Sequence, residues 1–197
     1  FLYFLVIILT VCSCDYTQKS PLTIEDLVPK NTSIVLSINS LEGFQSAIDN
    51  NELISKIGVF KSLKKALIPL DSLKSLSPIL VCITKGSTSQ VFTFITHQRN
   101  LPSSDTLPIP YIKLDSVLVA STSRSVLESL KMQRYSENSK ISKLHQKTNT
   151  FSVYCKAFPE LKSLPLLNAE SLYLGFNVTP ESIEINGTVL DKKSQNK

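Results

Sequence analysis

Hydrophobic and polar positions along this chain follow two rhythms, and the switches between them mark out its elements. Ser33–Asn39 reads SIVLSIN, a strand composition with partial alternation. Leu41, Phe44 and Ile48 then recur at i, i+3 and i+7, which puts them on one face of a helix. Asn39 or Ser40 can cap that helix, with Glu42 at capping-box distance from Asn39. Leu53, Ile54 and Ile57 mark a second short helix ending near Gly58. Phe60, Leu63 and Leu67 mark a third, stopped by Pro69, whose ring cannot continue a helix. Two strand-like runs follow, Ile79–Thr84 and Gln90–Thr96, joined by the turn residues KGSTS. After the irregular stretch from His97 to Pro110, Tyr111–Leu114 reads as an edge strand, because the prolines before it suit a sheet margin.

The second half repeats the plan. Ser116–Ser121, SVLVAS, matches SIVLSI as a strand, and Ser123 caps a helix bearing Val126, Leu127 and Leu130. Ile141 and Leu144 suggest a further short helix, and Phe151–Ala157 a strand. Past a Pro-marked connection, Leu172–Val178 and Ser182–Leu190 form a hairpin around Thr179-Pro180-Glu181. The pattern predicts an α+β fold: a mainly antiparallel sheet with helices on one face, as two duplicated β-α-β-β halves at 23–110 and 111–190. The polar residues 191–197 form a tail. Convergent amphipathic patterning is the alternative to duplication.

The first fourteen residues, FLYFLVIILTVCSC, belong to neither half. Phe1–Val11 is an uncharged apolar run. It is shorter than the roughly 20 residues a bilayer core demands and fits the apolar part of a secretion signal. Val11-Cys12-Ser13-Cys14 resembles a lipobox: a branched apolar residue at −3, a small one at −1, then the modified cysteine. Residues 1–13 therefore read as a signal peptide cut before Cys14, the lipid-attachment site, with 14–22 as a lipidated polar tether. Cys12 fits less well, since Val11 would hold its −1 position. Cleavage by the general signal peptidase and a short uncleaved anchor are the rival readings. No basic segment or initiator Met precedes the run, so we expect truncation at the N-terminus.

Composition narrows the remaining chemistry. The 197 residues carry a net charge of +5, almost wholly from lysine, with Arg99, Arg124 and Arg134 the only arginines. Nucleic-acid surfaces want clustered arginine with interleaved aromatics, so no nucleic-acid partner is expected. Cys82 in ILVCIT and Cys155 in FSVYCKA each sit in a strand-like run. They read either as buried thiols behaving like small hydrophobes or as a disulfide formed in an oxidising compartment. His97 and His145 are isolated from metal-ligand spacings, and five glycines form no phosphate-cradling motif. Glu181 and Glu184 alternate on a strand expected to be exposed. No catalytic residue, metal site or cofactor is assigned, and the domain is read as no enzyme. Asp71-Ser72-Leu73, Asp105-Thr106-Leu107 and Asp115-Ser116-Val117 resemble the O-glycosylation triplet of Bacteroidetes.

The signal ending in Ser13-Cys14, the segment LVPKNTSIVLSINSLEGFQSAIDNNELISK and the later SVLVASTSRSVLESL carry a wider likeness. With them the chain resembles the N-terminal region of an uncharacterised lipoprotein family of flavobacteria and related Bacteroidetes. The resemblance implies a palmitate-bearing protein of the cell envelope, lipid-anchored on a periplasmic face or at the outer-membrane surface, and it implies no active site. Similar proteins continue beyond this length, so a truncated C-terminus is also expected. The function expected is a non-enzymatic binding or assembly module facing an envelope protein or glycan partner. The alternative is a supporting domain of a larger envelope enzyme.

Overall fold

In the computed structural model, which describes residues 21–73, 77–86, 89–101, 107–132, 149–156 and 169–191, a single eight-stranded antiparallel sheet organises the chain. The strands are β1 (Ile34–Ile38), β2 (Ile79–Lys85), β3 (Gln90–His97), β4 (Tyr111–Leu114), β5 (Val117–Ser121), β6 (Phe151–Lys156), β7 (Ala169–Val178) and β8 (Ile183–Asp191). Their order across the sheet is β4-β5-β3-β2-β1-β6-β7-β8. The α-helices are α1 (Leu41–Asn50), α2 (Glu52–Lys56), α3 (Gly58–Leu67) and α4 (Arg124–Met132). The fold is α+β, as the pattern predicts, and β4 lies at the margin.

Local chemistry sets the helix boundaries. Ser40, in extended conformation, caps α1 by accepting from the Gly43 N–H at 3.1 Å, so the cap is Ser40 and Glu42 takes no part in it. Asn51 closes α1 and opens α2, its Oδ1 accepting from the N–H groups of Leu53 and Ile54 at 3.1 and 3.0 Å. Gly58 begins α3 and does not merely end α2. Pro69 falls inside a 3-10 turn, Ile68–Leu70, that finishes the helical stretch.

The central strands are apolar on both faces, and this corrects one expectation. Leu36, Ile38, Ile79, Val81, Phe94, Leu118, Ala120 and Phe151 face one way and are covered by Leu41, Phe44, Ile48, Ile54, Leu63 and Leu67 of α1–α3. Val35, Leu80, Cys82, Ile95, Val117 and Val119 face the other way. Leu127 and Leu130 of α4, with Ile24, Leu27 and Val28 from the N-terminal approach, cover that second face. Among the described residues, three α-helices therefore lie on one face and a fourth on the opposite one. A sheet whose strands are apolar on both sides must be roofed on both. Each large side chain fully buried in this way contributes about 1.5–3 kcal/mol.

The crossover explains where α4 goes. β5 and β6 run in the same direction with β3, β2 and β1 between them, so the link between them must traverse the sheet. The duplication read from element order does not extend to strand pairing. β1 pairs with β2, the strand that follows its helices, whereas β5 pairs with β3 and β4 and never meets β6. The three strands of residues 23–110 form one block at the middle of the sheet, with β4 and β5 of residues 111–190 on one side of it and β6, β7 and β8 on the other. The helix expected at Ile141 and Leu144 lies outside the described residues.

Candidate functional site

The two mid-chain cysteines occupy β2 and β6, the strands that flank β1 on either side. Val35 is opposite Cys82, while its neighbour Ile34 is opposite Cys155. Adjacent residues of a strand point to opposite faces, so the two thiols lie on opposite faces of the sheet. Two strand spacings of about 4.8 Å each also exceed the roughly 7 Å Cα separation a disulfide tolerates. Both are free buried cysteines, and of the two readings the sequence allows, the disulfide is excluded. Burial pushes the Cys82 thiol up to about 12, with the nearby Thr32 hydroxyl pulling weakly the other way. That hydroxyl has no well-aligned partner of its own, which fits a weak contact. Burial pushes Cys155 up to about 11. Such thiols are poor nucleophiles, because the reactive form is the thiolate.

His97 ends β3, half-buried, opposite Val117. His145 and Cys14 lie outside the described residues. Among the described residues no group of three His, Cys, Asp or Glu is placed to hold a metal ion. Glu181 and Glu184 sit at the β7–β8 hairpin, both exposed. Of the triplet aspartates, Asp71 accepts from Gln45 Nε2 at 2.9 Å, and Asp115 turns the β4–β5 hairpin with φ 49°. Asp105 lies outside the described residues.

Polar residues that sequence reasoning passed over form the internal ties. Asn149 Nδ2 donates to the Ser152 hydroxyl at 3.2 Å, and its carbonyl accepts from Asn39 Nδ2 at 2.9 Å. Asn100 Nδ2 donates to Ser77 O at 3.0 Å and to Thr96 Oγ1 at 2.7 Å. Thr93 and Ser121 share a buried hydroxyl contact of 3.0 Å. These contacts are internal to the fold.

Among the described residues, large apolar side chains are exposed around α2 and α3, at Met132 at the end of α4, and on β8. Leu53 is 64% exposed on α2, with Ile57 and Ile68 exposed at the two ends of α3. On β8, Ile185 is 60% and Val189 47% exposed. These two share the first face with half-buried Leu172, Leu174 and Phe176 of β7, since Phe176 is opposite Ile185 and Leu172 opposite Val189. Among the described residues no helix is long and apolar enough to cross a membrane.

No family model matches the chain, and no curated protein matches it. A solved structure described as "Structure of crystal form III of TP0453" aligns with 90% of this chain and 84% of its own, at 13% identity and a TM-score of 0.46. At that identity and score, the chain shares with it neither a shown family nor a shown function.

Proposed function

We propose that the chain is a membrane-anchored lipoprotein of the cell envelope, acting there as a non-enzymatic binding or assembly module. The observation that carries this reading is the junction Val11-Cys12-Ser13-Cys14 behind an uncharged apolar run. Acylation supplies the anchoring energy, at about 0.8 kcal/mol per buried methylene, and stable retention takes more than one chain or signal. Palmitate together with a diacylglycerol on one cysteine meets that condition.

The anchor also sets a reach. Leu22 packs against the second-face core, and the eight steps from Cys14 to Leu22 span at most roughly 30 Å when fully extended. The folded sheet is thus held near the lipid surface, where its exposed apolar residues on α2 and β8 meet partners confined to the same layer. Two protonated, buried thiols favour binding over catalysis.

The test is labelling with a palmitate analogue followed by membrane fractionation. The wild-type chain is expected to take up label and sediment with membranes, and Cys14→Ala to do neither. Retention of the variant, together with an unlabelled wild type, overturns the anchor. Turnover of generic ester, phosphodiester, peptide or glycoside substrates that disappears on a single substitution overturns the non-enzymatic part.

A further inference from the structure

The two ends of the sheet are finished differently. β4 is four residues long, follows the exposed prolines Pro108 and Pro110, and carries the exposed Lys113. Short strands, prolines and lysines keep an edge from recruiting another strand. β8 has none of these. It runs nine residues, Ile183–Asp191, without proline or lysine. The one register irregularity of its hairpin lies on β7, at Ala169–Ser171. Among the described residues, nothing pairs with its outer side.

The hairpin register fixes which β8 groups point outward. Thr179 N–H donates to Ser182 O at 3.0 Å, so that pair belongs to the hydrogen-bonded class. Classes alternate along an antiparallel ladder, which places 177/184, 175/186 and 173/188 in the same class. The backbone N–H and C=O of Ile183, Ile185, Gly187 and Val189 therefore face away from β7. The exposed apolar side chains, Ile185 and Val189, belong to these same residues.

We infer that β8 is a self-association edge: two copies pair their β8 strands antiparallel about a two-fold axis at Gly187. Antiparallel pairing must match residues with outward groups to residues with outward groups, which here means odd positions with odd. Of the registers that do so, only the one centred on Gly187 overlaps the whole strand, because 187 is the midpoint of 183–191. It sets Ile185 of each copy opposite Val189 of the other, a β-branched pair on the apolar face. Glu184 falls opposite position 190 and Asp191 opposite Ile183, so no like charges oppose one another. A two-fold interface needs a patch complementary to itself, and this strand is one. Another protein's strand would need only alternation and would gain nothing from that symmetry. The partner is a second copy of this chain, and this reading names the assembly in which the proposed module takes part.

The experiment co-expresses two differently tagged full chains, one carrying Asn186→Cys and the other Thr188→Cys, and oxidises the membranes mildly. Positions 186 and 188 are exposed and oppose each other across the axis in the non-hydrogen-bonded class, where antiparallel Cα atoms come within about 4.5 Å. A disulfide-linked heterodimer carrying both tags is expected. It should fall at least tenfold when Ile185→Lys and Val189→Lys are added to both chains, surface changes that leave the core intact. Absence of the cross-link overturns the pairing, and so does a dimer that survives the double lysine change. Repeating the experiment in the Cys14→Ala background in detergent keeps the two readings apart: the cross-link reports the strand pairing and acyl labelling reports the anchor.

Discussion

Asn51 donates from Nδ2 to the Thr179 carbonyl at 2.8 Å, tying the α1–α2 junction to the β7–β8 hairpin across 128 residues of chain. The same side chain caps α2 through Oδ1 and is 2% exposed. One buried amide thus closes a helix, opens the next and fixes the far end of the sheet beneath them. Its Nδ2 also lies 3.5 Å from Ser182 O, so both sides of the turn between β7 and β8 meet it.

Asn51→Ala is therefore expected to lose a cap, worth about 1 kcal/mol, and the hydrogen bond to the Thr179 carbonyl, worth about a further 0.5–1.5 kcal/mol. Asn51→Ser keeps a capping acceptor for α2 and loses the reach to Thr179, so it should fall between the wild type and alanine. Urea unfolding checks this. The midpoint should drop in the order wild type, Ser, Ala with little change in slope, and equal midpoints for Ser and Ala would assign the whole effect to the lost tie to Thr179.

Phe151 is the aromatic centre of the first-face core. It meets Phe44 edge-on at 5.2 Å and Phe60 at 6.0 Å, and it stacks on Phe176 at 4.6 Å. Removing a buried ring of this kind costs about 3–5 kcal/mol, and lost aromatic pairing adds about 0.5–1.5 kcal/mol per contact. Phe151→Leu should retain roughly half the stability that Phe151→Ala loses. Thermal melts of both variants test it, and a leucine variant as unstable as alanine would show that ring geometry outweighs volume.

Much of this fold is legible in the sequence, for identifiable reasons. ILVCIT and QVFTFIT are rich in β-branched and aromatic residues and meet at a Gly/Ser turn, so β2 and β3 fall where composition puts them. Leu41, Phe44 and Ile48 are all buried on α1, as their spacing requires. The placing of α4 on the second face was less visible, although the signal existed. IVL in β1 and ILVCI in β2 run apolar without a break, and unbroken runs mark strands buried on both sides. Strand pairing was not legible: local pattern says where β5 and β6 are, and only the landing point of a long crossover decides that they never touch. Nothing in the local pattern singles out Asn51 or Asn149. Their roles depend on carbonyls more than twenty residues away, Thr179 for one, and on Asn39 reaching Asn149 for the other. Cys14 shows the reverse, being carried by sequence alone.

Gly175 is expected to tolerate no side chain. A Cβ there would run into Asn149 Nδ2 and lie 2.9 Å from Asn186 Oδ1. Asn149 cannot yield freely, because it is buried and bonded to Ser152. Gly175→Ala should cost about 1–3 kcal/mol, the usual range for overpacking a tight site. Asn149→Ala removes the obstacle, so the double variant should be less unstable than the sum of the two singles. A double-mutant cycle by urea denaturation measures this, and strict additivity would place the strain of Gly175→Ala elsewhere.

The cysteines give the last prediction, in the alkaline range. Burial raises Cys82 from 9.0 to about 12 and Cys155 from 9.0 to about 11. With raised folded values, both thiols keep their protons in the native state after the unfolded chain has begun to lose them. The unfolded state therefore binds fewer protons above pH 9, and stability falls as pH rises. The contribution is fully present below about pH 9 and is lost between pH 9 and 12 for Cys82, and between pH 9 and 11 for Cys155. Cys82→Ala should lower stability at pH 7 by leaving a small cavity, yet flatten its decline above pH 9. It is the slope, compared across pH 8–11, that separates titration from packing. A thiol reagent at pH 8 should label neither residue in the folded protein and both in denaturant. Rapid native labelling of Cys82, or an unchanged alkaline slope in Cys82→Ala, would show that the thiol is not held in the dry interior described above.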